Sequence, residues 1–157
     1  MSETDYILLN KQLDSLLSEQ PVWYTNLSQF SALIMASLEN INWAGFYLLV
    51  DAENLKLGPF QGLVACMDIR VGEGVCGTAA KSRETQRIAD VHQFEGHIAC
   101  DARSQSEIVI PMLVGDRLLG VMDIDSPNLE RFSHADEIGL TNMVQTLLTK
   151  THWPEQF

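Results

Sequence analysis

The chain moves between two textures of hydrophobic spacing. Tyr6, Leu9, Leu13, Leu16 and Leu17 recur at helical intervals between Asp5 and Glu19, and beyond Pro21 a second helical stripe runs through Leu27, Phe30, Leu33, Ile34 and Leu38. From Trp43 the pattern shortens. WAGFYLLV, LKLGPF and LVACMDI are short runs rich in aromatic and branched residues, separated by Asp51, Asn54, Gly58, Pro59 and Gly62, and they predict strands in a hairpin-like meander with Cys66 on the third. VGEGVCGTAAKSRE opens on glycines and continues through small residues, which predicts a loop running into a short helix with Cys76 in its first turn.

The stretch HQFEGHIACDARSQS that follows QRIADV is polar, aperiodic and too long for a tight turn, so it is predicted to be a functional loop, with Cys100 inside it. EIVIPMLV and RLLGVMDIDS flank Gly115-Asp116 as two further strands around a tight turn. Ser133 and Asp136 form a capping-box pattern at the start of a last helix carrying Ile138, Leu140, Met143, Val144, Leu147 and Leu148. The sum is one α+β domain over residues 1–157. Helices occupy 1–40, a mostly antiparallel central sheet and its loops occupy 41–132, and a C-terminal helix occupies 133–152. No repeat or low-complexity tract divides it.

Composition narrows the function. With 157 residues and 46% hydrophobic content, the chain can bury a core without disulfide or metal support. Its 21 acidic against 10 basic residues leave a formal charge of -11, which repels phosphate backbones and anionic membranes, so neither nucleic acid nor membrane is an expected partner. The first residues lack a basic-then-apolar leader and no apolar run reaches membrane length, so a cytoplasmic protein is expected. In that reducing compartment three cysteines are not a structural disulfide framework. Buried inert thiols, metal ligands and redox catalysis remain.

Local context separates the three thiols. Cys76 is placed where a helix dipole and free amides favour a thiolate. Cys100 has His97 three residues before it and Asp101 directly after it, in a loop suited to exposure at a pocket. Cys66 is ambiguous between core and pocket. A zinc site made from Cys66, Cys76, Cys100 and His92 or His97 is the competing use, but no C-x2-C knuckle supports it.

Three carboxylates, Glu107, Asp123 and Asp125, interrupt apolar strands. They occupy either a solvent face or a cavity, and in a cavity they suit an ammonium group and include a carboxyl of raised pKa able to give up a proton. Trp43 and Tyr47 share a strand face and serve either as packing or as the wall of an apolar pocket. The GEGVCG glycines match neither G-x-G-x-x-G nor the Walker pattern, which removes phosphate binding.

The segments NWAGFYLL, LGPFQG, GVCGTA, DVHQFEGHIACD, SEIVIP and GVMDIDS together resemble the free methionine-(R)-sulfoxide reductase family, whose fold is the GAF domain. The resemblance runs from about Asn42 to Phe132 and accounts for all three cysteines. It implies Cys100 as the attacking thiol, with Cys66 and Cys76 as possible resolving partners. It also implies that Trp43 and Tyr47 contact the substrate, while Glu107, Asp123 and Asp125 bind its polar groups and the sulfoxide oxygen. Glu107 or Asp125 would supply the proton.

The expected activity is thiol-dependent reduction of free methionine-(R)-sulfoxide through a sulfenic acid and a disulfide. Thioredoxin is the implied reductant, no metal or organic cofactor is required, and a homodimer is implied. A small-molecule-sensing GAF module without turnover is the alternative. A sensor ordinarily feeds an output domain, and none is read in this chain.

Overall fold

A computed structural model describes residues 3–19, 21–98 and 100–157. Ala99 of the GHIACD motif lies outside the described residues. The chain runs through α1 (Tyr6–Leu17), α2 (Trp23–Ser37), β1 (Trp43–Leu49), β2 (Asn54–Gly62), β3 (Asp68–Arg70), α3 (Gly74–Ser82), β4 (Gln86–Ile88), a single 3-10 turn (Val91–Gln93), β5 (Ser106–Val114), β6 (Arg117–Ser126) and α4 (His134–Lys150). The six strands form one sheet in the order β3-β2-β1-β6-β5-β4, and each described pairing between two of these strands is antiparallel.

The period of two along the strands divides the apolar residues between two faces. Ala44, Phe46 and Leu48 of β1, Ile108, Ile110 and Met112 of β5, and Leu119, Met122 and Ile124 of β6 point to one side. There they meet Leu9, Leu13 and Leu17 of α1, Leu27, Phe30 and Ile34 of α2, and Leu140, Met143, Val144 and Leu147 of α4. Phe30 meets Phe46 edge-on with ring centroids 5.4 Å apart, a geometry that aromatic quadrupoles favour. A register shift beside Leu113 and Leu118 lets Leu119 and Met122, of opposite parity, both reach this face.

The other face carries Trp43, Tyr47, Leu55, Val109 and Val121, and α3 covers it through Val75, Cys76, Ala79 and Ala80. Small residues bring α3 close: a side chain at Gly77 would run into the Arg70 carbonyl oxygen.

The helix ends follow the sequence closely. Ser133 caps the Asp136 amide, and the Asp136 carboxylate accepts from the Ser133 amide, completing the capping box. Asp136 also accepts from the Tyr6 hydroxyl at 2.6 Å and from Arg131, which ties α1 to the start of α4. Two expectations need correction. Leu16 and Ile138 lie 43% and 52% exposed, outside the packed stripes on which periodicity placed them. The run LVACMDI forms a strand only at Asp68–Arg70. Cys66 therefore sits in an irregular segment, because Trp43 and Tyr47 take carbonyls of that segment as hydrogen-bond partners in place of a neighbouring strand.

Candidate active site

The α3 face of the sheet becomes polar toward one end. Trp43 pairs with Asp125 and Asp125 with Glu107, so one row of residues across β1, β6 and β5 presents an aromatic ring and two carboxyl groups side by side. In the next row on the same face, Gly45 pairs with Asp123 and Asp123 with Val109. The absent side chain at Gly45 matters. A Cβ there would collide with Phe60, whose ring stacks on Trp43 at 5.2 Å. Tyr47, one row further, lies 5.9 Å from Trp43 in a near-parallel stack.

Above these rows lies a partly open cavity of about 40 Å³, lined by Trp43, Tyr47, Cys76, His97, Cys100, Glu107, Asp123 and Asp125 among others. Trp43 donates its indole N–H to the Leu63 carbonyl (3.2 Å) and Tyr47 donates its hydroxyl to the Cys66 carbonyl (2.9 Å). The two aromatic residues thus wall the cavity and hold the segment that presents Cys66. Opposite them, the Cys100 loop is pinned by Asp101. Its carboxylate accepts from Asn42 (3.1 Å) and from the Arg103 guanidinium (2.8 Å), and Asn42 also donates to Ser104 (3.2 Å). These Arg103 bonds pull the Asp101 carboxyl down to about 2.

Cys66 and Cys100 are joined by a disulfide, with Cα atoms 5.4 Å apart and a sequence separation of 34. Both are half-buried. Of the two partners that sequence left open for Cys100, Cys66 is the one bonded to it in this structure. Cys76 stays a free, buried thiol. Its position in the first turn of α3 is as expected, but the expected activation is reversed. Burial, followed by the charges of Asp123, Glu107 and Asp125, pushes its pKa well up. Desolvation and three acidic neighbours outweigh one helix end. The four-ligand zinc set weighed above does not assemble either, since Cys66 and Cys100 use their sulfurs on each other.

The carboxyl groups are not on a solvent face. Glu107 and Asp123 are buried, and all three carboxyls are driven well above the ordinary range, first by desolvation and then by one another's charge. One oxygen each of Asp123 and Asp125 is buried without a hydrogen-bond partner among the described residues. Donor atoms of Cys76, Glu107 and Asp123 lie within 4.8 Å of one another, so the cluster suits a cation, an ammonium or a metal ion. His97 Nε2 stands 4.0 Å from Glu107. Burial lowers its pKa, so at neutral pH the imidazole is uncharged and this contact is not an ion pair.

Sequence reasoning missed Asn42, Ser104 and Phe60. Asn42 and Ser104 act through long-range hydrogen bonds that no local pattern encodes. Phe60 lay inside a predicted strand and was legible only as core.

The chain and its fold have relatives. A family model for the GAF domain matches residues 24–148. A protein of Escherichia coli described as a free methionine-R-sulfoxide reductase is 50% identical over 148 residues, covering 94% of this chain and 89% of its own length. A protein of Saccharomyces cerevisiae with the same description is 45% identical over 141 residues, covering 85% and 78%. Among solved structures, fRMsr of Staphylococcus aureus in complex with substrate superposes with a TM-score of 0.90 at 47% identity, covering 96% of this chain and 97% of that one.

Proposed function

The chain belongs to the GAF-domain family and, within it, to the free methionine-R-sulfoxide reductases, and on that premise we propose that it reduces free L-methionine (R)-S-oxide to methionine with its own thiols. One observation carries the assignment of chemistry to residues: a Cys66–Cys100 disulfide at the rim of a cavity floored by three convergent carboxyl groups.

The reaction begins from the reduced chain. The Cys100 thiolate attacks the sulfoxide sulfur, and a protonated carboxyl, Glu107 or Asp125, gives its proton to the departing oxygen. Methionine leaves, and the oxygen remains on Cys100 as a sulfenic acid. The Cys66 thiol displaces that oxygen as water, forming the disulfide. Two thiols of a reductant, thioredoxin in our reading, then restore both cysteines. Cys76 takes no part in the electron transfer. Its neutral thiol bonds Asp123 and lines the pocket.

The raised carboxyl pKa values support the proton-donor role, because an ordinary carboxyl carries no proton at pH 7. The partnerless oxygens of Asp123 and Asp125 support capture of the substrate ammonium. Trp43 and Tyr47 suit the methyl and methylene groups. A cavity of about 40 Å³ admits only a water or two. The disulfide-bonded form is therefore read as the closed product state, which the 94–103 loop must leave before an amino acid enters. The same enclosure disfavours a sulfoxide inside a peptide.

We read residues 1–157 as one GAF-like unit acting in the cytoplasm. No described helix is long and apolar enough to cross a membrane. A homodimer is supported by Ile7, Leu8 and Ile138, exposed on α1 and α4, which pack side by side where Tyr6 meets Gly139.

The test is dithiol-driven reduction of the two free methionine sulfoxide epimers by the native chain and by Cys66→Ser, Cys76→Ser and Cys100→Ser. Turnover of the free (R) epimer, lost in Cys100→Ser, is expected. Full activity in Cys100→Ser, or equal rates on a peptide-embedded sulfoxide, contradicts the assignment.

A further inference from the structure

The segment bearing Cys66 turns its backbone inward and its apolar side chains outward. The Leu63 carbonyl is taken by Trp43, the Cys66 carbonyl by Tyr47 and the Met67 carbonyl by the Leu57 amide. With its polar backbone engaged from below, the segment leaves Leu63 56%, Val64 87% and Met67 69% exposed. Ile98, two residues before Cys100, adds a fourth apolar side chain, 36% exposed, across the disulfide. All four lie within three residues of a cysteine of the disulfide. Exposed apolar residues clustered in this way mark a contact surface, whereas scattered ones need no explanation.

We propose that Leu63, Val64, Met67 and Ile98 form the face on which a dithiol protein of the thioredoxin kind docks to reduce the Cys66–Cys100 disulfide. This rests on the reductase reading, which requires an external reductant every turnover. The disulfide inside the patch selects the occupant. Ile98 also lines the mouth of the cavity, but Leu63, Val64 and Met67 do not line it, so a free amino acid bound among buried carboxyls has no use for them, and a small thiol gains little from them. The neighbouring charges, Lys56 with Asp68 and Arg70 with Glu53, neutralise each other in pairs. Apolar contact, more than charge, then supplies the recognition.

In the step itself, a partner thiolate attacks Cys66 Sγ, a mixed disulfide forms, and the Cys66–Cys100 bond breaks to release Cys100 as the thiolate. The partner's second thiol gives up its proton and displaces Cys66, which leaves as a thiolate and is reprotonated. The partner departs as a disulfide, two electrons poorer. Expelling Cys100 returns it in the form that attacks the next sulfoxide.

The experiment measures reduction of the pre-oxidised chain in a single turnover, by alkylation of the freed thiols, with thioredoxin and separately with dithiothreitol. The proteins are the native chain and Leu63→Ser, Val64→Ser and Met67→Ser combined. We expect the second-order rate with thioredoxin to fall roughly tenfold or more in the variant, and the rate with dithiothreitol to stay within about twofold. Equal loss with both reductants shows that the segment serves the local structure. An unchanged thioredoxin rate shows that docking occurs elsewhere. Either result overturns the proposal. Since the readout is the chain's own disulfide, failure to turn over methionine sulfoxide would sink the reductase reading without altering this measurement.

Discussion

The two faces of the central sheet are built from alternate residues of the same strands and obey different rules. On the helix-bundle face, Phe46, Ile108, Met112, Leu119, Met122 and Ile124 are all but inaccessible to solvent and carry no polar side-chain atoms to satisfy. On the α3 face, β5 and β6 bury Glu107 and Asp123, hold Asp125 beside them, and leave carboxyl oxygens without partners among the described residues. A fold seeking only stability would make both faces like the first, because a buried carboxyl is costly unless neutralised or paired. The contrast indicates that one face supplies the free energy that lets the other keep an unfavourable arrangement.

The comparison is broken most severely on the packing side. Phe46→Ala removes a fully buried ring stacked edge-on against Phe30, and a loss of about 3–5 kcal/mol is expected in denaturant unfolding. A loss under about 1 kcal/mol would mean that this face is not the stabilising one.

Glu107→Gln works in the opposite sense. The native Glu107 carboxyl is raised by burial, so over the range from about pH 4 up to its folded pKa the folded chain holds a proton that the unfolded chain has lost. Stability contributed by this group is therefore complete below the ordinary carboxyl value and is lost as pH rises through the folded value. Each unit of upward shift is worth about 1.4 kcal/mol. Glu107→Gln should flatten the decline in unfolding free energy as pH rises above the ordinary carboxyl range of about 4 and leave the variant the more stable protein at the alkaline end, while turnover drops. An unchanged pH profile would show that Glu107 is not held protonated.

Tyr47→Phe sharpens the contrast at the smallest scale. It leaves the ring stack and removes one hydrogen bond to the Cys66 carbonyl, so about 1 kcal/mol of stability is expected to go. Because that bond positions the segment bearing Cys66, closure of the disulfide after sulfoxide reduction should slow as well. Unaltered closure kinetics would separate the aromatic wall from the resolving cysteine.

The bundle face was the more legible of the two in sequence. Helical stripes and a period of two along strands report burial directly, and the Ser133–Asp136 cap was read from two residues. The parity of Asp123 and Asp125 was equally plain, but whether their face met water or a cavity depended on α3 folding over it. That docking is set by Gly77 and small neighbours, which carry no periodic signal. The Cys66–Cys100 pairing was open for the same reason: it depends on how two irregular segments approach in space. The thiolate expected at Cys76 failed because a helix end is a local cue, whereas what opposes it, burial first and then the charges of Asp123, Glu107 and Asp125, arises only when α3 packs over β5 and β6.

The central claim is that Cys100 takes oxygen from free methionine-(R)-sulfoxide and passes it on by bonding to Cys66. The most direct measurement reacts the fully reduced chain with one equivalent of the (R) epimer in the absence of reductant, quantifies methionine and maps the resulting thiols by mass. One methionine per chain is predicted, with a Cys66–Cys100 disulfide and an unmodified Cys76. Methionine formed with Cys76 in the disulfide, or no methionine from a chain whose three thiols were reduced, would contradict the account.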